Sequence, residues 1–140
     1  MKGIRINDQK GAVAVEFAFV LPLLVVLLVG IMEFGLILYN QQVITNACRE
    51  GARAGIVARS PRMDSTAIAT VVNDYTQAHL VTFGTATSAA TAIDNSGGTS
   101  FGDDLTVTVT FDYDFLVLSN FISSLGDGLT LSTQTVMKYE

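Results

Sequence analysis

Residues 17–32, FAFVLPLLVVLLVGIM, carry no charge at all. Extending the run back to Ala12 adds only Glu16, and extending it forward to Tyr39 adds only Glu33. A helix over 12–39 is about 40 Å long at about 1.5 Å per residue, enough to cross a hydrocarbon core of about 30 Å. A helix that is apolar on every face does not fit on the surface of a small soluble domain. The run therefore predicts one membrane anchor, with the lipid bilayer as its first partner. Apolar residues are 49% of the 140-residue chain and charged residues 15%. Most of that apolar excess lies in this block, and the remainder has the composition of one modest soluble domain.

A cleaved secretory signal is the simplest competing reading, and the basic start (Lys2, Arg5, Lys10) suits it. The run is longer than the usual h-region of about 7–15 residues, carries Glu16 at its head, and is followed by no small-x-small cleavage site. Glu16 is informative in its own right. A carboxylate inside a membrane segment costs about 2.5–3.5 kcal/mol, so it either sits at headgroup level or has a partner. The N-terminal basic residues favour a cytoplasmic N-terminus. Arg49, Arg53, Arg59 and Arg62 beyond the anchor offset that count.

The residues before the run resolve both points by likeness. Lys10-Gly11-Ala12-Val13-Ala14-Val15-Glu16-Phe17 resembles a prepilin-peptidase processing signal: a glycine, a small residue, and a glutamate five positions past the glycine at the head of an apolar helix. The resemblance implies a leader over 1–11, a cut between Gly11 and Ala12, and pairing of Glu16 with the N-terminus of an incoming subunit. The likeness continues through Glu16-Phe17, Leu21-Pro22, Glu33-Phe34-Gly35, Asn46-Ala47 and Arg49-Glu50-Gly51-Ala52-Arg53. Together, in this order, they resemble the TadE-like family of tight-adherence (Tad) pilus systems. The strand-like stretches 105–111 and 129–140 fit as well, so the likeness spans nearly the whole chain around a variable middle. Leu36 departs from it, since many relatives carry arginine there.

Membership implies a minor pilin or pseudopilin, processed by a prepilin peptidase and supporting assembly of an adhesive pilus. The implied partners are the peptidase, other pilin or pseudopilin subunits and the inner-membrane assembly platform. The implied location is the bacterial inner membrane, single-pass, with the N-terminus cytoplasmic and the C-terminal domain outside, possible incorporation into a surface pilus included. The alternative is a bitopic, envelope-anchored binding or adhesion module with no part in assembly. Loss of the leader would leave 5 basic against 12 acidic groups, a net charge of −7. With no basic stripe, such a chain is a poor candidate for nucleic acid.

Within the anchor, Pro22 removes one backbone donor and predicts a kink rather than a break. Glu33 is expected at the outer interface or against a cationic partner in the assembly. Over 40–60 the pattern becomes amphipathic. Val43, Ile44, Ala47, Cys48, Gly51, Ala52, Gly55 and Ile56 share one face. Ala47, Gly51 and Gly55 form a small-residue ladder that permits close backbone approach, either to another subunit's helix or to this chain's own sheet. Glu50 and Arg53 are spaced for a weak ion pair. Cys48, the only cysteine, fits as a small apolar residue.

Residues 61–140 predict an extracytoplasmic α+β domain, pilin-like when joined to the long N-terminal helix. Ser60-Pro61 marks a break. Ser65-Thr66 is placed to cap a second helix, with Ile68, Val71, Val72 and Tyr75 on its apolar face and its end near Leu80. Residues 84–100 have loop composition, with a strand or turn around 91–93. Leu105, Val107, Val109, Phe111 and Tyr113 alternate with polar residues, the mark of a half-buried strand. Residues 115–125 suggest a short helix or loop, Asp127-Gly128 a turn, and 129–139 a further strand, making the sheet antiparallel. Asp103, Asp104, Asp112 and Asp114 form no calcium-loop motif and read as solvated. One histidine (His79), one cysteine, no G-x-S-x-G and no phosphate loop point away from an enzyme, a metal centre or a cofactor.

Overall fold

The computed structural model describes residues 9–82, 88–115 and 128–140, with side chains from Gly11 onward. Most of the leader, nearly all of 115–125, and Asp127 lie outside the described residues.

The first element, α1 (Gln9–Ile56), is an unbroken helix that passes through Pro22. At about 1.5 Å per residue it is about 70 Å long. Its last carbonyls are satisfied from outside the helix. Arg59 Nη2 donates to Ala54 O at 3.2 Å, and Arg62 Nη1 donates to Ile56 O at 3.3 Å. The Glu140 amide also reaches Ile56 O. Arg62 further binds the main-chain oxygen of Glu140 at 2.7 Å and lies over the Tyr139 ring. The end of the last strand is thereby tied to the end of α1.

The second helix, α2 (Ser65–His79), is capped one residue earlier than the sequence suggested. The Asp64 carboxylate accepts the Ala67 amide at 2.7 Å. Asp64 is the residue three positions before a free amide of the first turn. Ile68, Val72 and Thr76 are its buried residues.

Among the described residues three strands follow: β1 (Ala90–Asp94), β2 (Asp104–Tyr113) and β3 (Leu129–Lys138). They form one antiparallel sheet in the order β1-β2-β3, with Asp94 opposite Thr106, Asp104 opposite Lys138 and Tyr113 opposite Leu129. The alternation in β2 decides which face is covered. Leu105, Val107, Val109, Phe111 and Tyr113 are all buried under α1 and α2. The opposite face shows Thr106, Thr108 and Thr110 between Ala90 and Ala92 on one side and Ser132 and Gln134 on the other. Gly128, which leads into β3, has φ +127°, and a Cβ there would lie 2.7 Å from Tyr113 O. Glycine suits that turn on both counts. The result is the α+β, pilin-like architecture expected from the pattern: a long N-terminal helix whose distal half, with α2, covers one face of a small antiparallel sheet.

Candidate functional site

The feature that sets this molecule apart is α1, and its two parts differ in surroundings. From Gly11 to Leu28 every residue is exposed, and the first buried position is Glu33. The bare stretch 11–32 is about 33 Å long, close to the hydrocarbon thickness of a bilayer. Among the described residues this is one helix long and apolar enough to cross a membrane. Beyond it, burial recurs at Asn40, Val43, Ile44, Ala47, Cys48, Gly51, Ala52 and Gly55. That three-and-four spacing is a helix seated by one face on a domain.

The residues singled out for processing, Gly11, Ala12 and Glu16, all lie in the bare part, near the start of α1. Ala12 and Glu16 are one turn apart. Phe17 is 60% exposed and Pro22 lies within the uninterrupted helix. These positions contact nothing in the domain and are presented outward together.

Glu33 closes the bare stretch. It is 2% exposed, enclosed by its own domain. Its carboxylate lies near Tyr113 at the end of β2. Burial first, and the Glu33 charge second, push the Tyr113 phenol above its ordinary value. Among the described residues the buried Tyr113 hydroxyl has no hydrogen-bond partner, and its ring meets Phe115 edge-on at 5.9 Å. Glu33 thus marks where the bare helix meets the lower edge of the domain.

About two turns further on, Asn40 is a residue the sequence reading missed. It is fully buried, and both ends of its amide are used. Nδ2 donates to Val81 O at 2.8 Å, and Oδ1 accepts the Val81 amide at 3.0 Å. This two-point contact fixes α1 to the chain leaving α2. The signal was present: stepping back from Val43 by threes and fours reaches Asn40, Ile37, Leu36 and Glu33.

The small residues pack inside the molecule. A Cβ on Gly55 would lie 2.5 Å from Leu105 Cδ2 and 2.7 Å from Ile68 Cδ1, and one on Gly51 would collide with Val72. The ladder therefore admits α2 and β2 of the same chain, a partner not weighed beside the sheet and a second subunit. Cys48 Sγ donates to Val107 O at 3.0 Å within the same seam. On the outer side of α1, Asn46, Arg49, Glu50 and Arg53 line a shallow groove with Tyr75 and Met137. The spaced pair Glu50 and Arg53 forms no ion pair; among the described residues Lys138–Asp104, at 2.7 Å, is the one that does. Asp94, Asp103 and Asp112 serve turns and strand ends. Asp103 accepts the Ser100 amide and Asp112 accepts the Thr130 hydroxyl. Main-chain and side-chain hydrogen bonds from Ser96 hold Asp94 below the usual carboxylate range.

A bare apolar helix of bilayer length, continued into the core of a small α+β domain, defines a single-pass, pilin-like membrane protein. Residues 11–53 match the family model described as TadE-like protein, and over that stretch the chain is similar to that family. The match takes in the bare helix, Glu33, Asn40 and the Arg49–Arg53 turn, while the sheet lies outside it. Neither the curated proteins nor the solved structures include a significant match.

Proposed function

We propose that the chain is a minor pilin or pseudopilin, cut between Gly11 and Ala12 by a prepilin peptidase and supporting assembly of a Tad-type adhesive pilus. The observation that carries this reading is the bare stretch 11–32, which opens on the Gly11–Glu16 spacing within the TadE-like segment. Cleavage frees the Ala12 amine, a cation at neutral pH. Glu16 lies one turn further along, in surroundings of low dielectric where opposite charges attract far more strongly than in water. A Glu16 carboxylate of one subunit meeting the Ala12 amine of the next sets the axial register. Pro22 weakens the helix where a subunit bends on leaving the bilayer.

In this reading 1–11 is the leader, 12–39 the anchor and assembly helix, 40–60 its amphipathic extension and 61–140 the extracytoplasmic domain. The N-terminus faces the cytoplasm, the anchor lies in the inner membrane, and the platform and fellow subunits engage the helix. The role is structural rather than catalytic.

N-terminal mass analysis of protein from cells with and without the peptidase tests it. The mature form begins at Ala12 only when the peptidase is present. Material still beginning at Met1 in peptidase-positive cells overturns the reading. Glu16→Ala separates it from the bitopic binding module: the variant stays in the membrane but no longer supports pili, whereas a plain anchor is indifferent to it.

A further inference from the structure

The apolar run of α1 extends to Tyr39, yet the domain already encloses the helix at Glu33. Anchor and domain thus overlap over residues 33–39, about 10 Å of helix, on opposite sides of the same element. On the domain side Glu33 is sealed, and Leu36 and Ile37 pack against the core. On the outer side Phe34, Leu38 and Tyr39 are 61%, 55% and 46% exposed. Exposed polar side chains resume only at Gln42. Apolar surface therefore continues from the bare stretch to about 10 Å above the lower edge of the domain.

Length points the same way. The charge-free residues 17–32 span about 24 Å, about 6 Å short of a hydrocarbon core of about 30 Å. Making up the shortfall at the Glu16 end sets an exposed carboxylate against lipid, which is costly. Making it up at the Glu33 end does not, because that carboxylate is hidden. Glu16 then stays at headgroup level until another subunit covers it. Contacts show what part of the domain lies at that depth. Gln41 Nε2 donates to Ser132 O at 3.3 Å. Leu129 lies three residues before Ser132, about 10 Å nearer the anchor, and pairs with Tyr113 beside Glu33. Leu129 shares a strand face with buried Leu131, yet it is 41% exposed. Asp112 and Asp114 are exposed at the same edge. At headgroup level the cost of such carboxylates is small. Among the described residues no cation joins them there, so they gain nothing from anionic lipid.

We propose that the lower edge of the domain is seated in the phospholipid headgroup layer of the adjoining leaflet, with Leu129 at the border of the acyl chains and lipid covering Phe34, Leu38 and Tyr39. The occupant is lipid because this apolar surface is continuous with the anchor's own and lies at the depth the anchor's length requires. Tyr39 stands where an interfacial aromatic is favoured. The proposal goes beyond the assembly reading and holds equally for a plain anchored module.

The chain contains no tryptophan, so a single introduced one reports its own surroundings. The full chain is reconstituted in phosphatidylcholine vesicles carrying Leu38→Trp, Leu129→Trp or Val136→Trp. Val136 is exposed and pairs with Thr106, at the far end of the sheet. Brominated phosphatidylcholine quenches from the lipid side, and iodide, present inside and outside the vesicles, quenches from the water side. Fluorescence at 38 and 129 is expected to fall with brominated lipid and to respond to iodide about fivefold less than at 136. Iodide quenching at 129 equal to that at 136 overturns the proposal, since the domain then stands clear of the membrane. Protection of 38 or 129 from both quenchers overturns it too, since protein rather than lipid then covers this edge. Each variant is checked for the parent's melting curve. Thr130→Trp, the next exposed position along the edge, replaces Leu129→Trp if that variant melts early. None of these results depends on where the mature chain begins, so the seating and the assembly reading fail separately.

Discussion

Residues 11–32 and residues 33–56 belong to one continuous helix, yet they obey different rules. The first stretch, Glu16 aside, is apolar on every side and touches no other element, so packing within the chain places no demand on its side chains. The second is selective position by position: a buried carboxylate at Glu33, a buried amide at Asn40, and glycines at 51 and 55 where α2 and β2 press against the backbone. Glycine itself shows the difference. Gly30 has nothing within 4 Å of where a Cβ would be, whereas Gly55 has two side chains inside 3 Å. The need to satisfy every backbone N–H and C=O within the helix, where lipid offers no partner, carries the first half, and shape complementarity carries the second.

Four substitutions or conditions press on this contrast, from the largest effect to the smallest. Gly55→Val is expected to cost about 3 kcal/mol by forcing Leu105 and Ile68 off their rotamers, while Gly30→Val costs under about 1 kcal/mol. Thermal unfolding in detergent micelles compares the two, and equal losses would erase the distinction. Asn40→Leu leaves the Val81 amide and carbonyl unpaired in a half-buried position, at about 2–3 kcal/mol. Hydrogen exchange at Val81 should rise with it. Asp64→Ala removes the cap of α2, which walls the glycine seam, and is expected to cost about 1 kcal/mol. A fourth test uses pH. The raised Tyr113 phenol is neutral in the fold over a range where the unfolded chain has begun to ionise. Its contribution is complete below the unfolded value, about 10, and is lost as pH rises through the folded one. Alkaline melting curves should fall less steeply for Tyr113→Phe than for the parent protein.

Much of this was legible in the residues. The alternation from Leu105 to Tyr113 named the buried face of β2 correctly, because a period of two admits one solution once one face is apolar. The stripe from Val43 to Gly55 named the seated face of α1. What the stripe does not contain is the identity of the surface it sits on. Small residues announce close approach without naming what approaches, and here α2 shares that seam with β2. The cap of α2 fell one residue early because Asp64, Ser65 and Thr66 are all good cap types, and only the reach to the Ala67 amide separates them. Glu33 and Asn40 were hard for a different reason. Polarity masks membership of an apolar face, and the enclosing partners, Tyr113 and Val81, are far away in sequence. The processing residues, by contrast, were legible only by likeness, since nothing in the domain touches Gly11, Ala12 or Glu16.

The division of α1 at Glu33 can be measured directly by placing a spin label at each position from 20 to 54 in the full chain, reconstituted in liposomes, and recording collision with oxygen. The expected profile is uniformly high through Met32, then oscillates with a period near 3.6 residues, with minima at 33, 40, 44, 47 and 51. An oscillation already present from residue 20, or uniform lipid exposure continuing past Tyr39, would contradict the account.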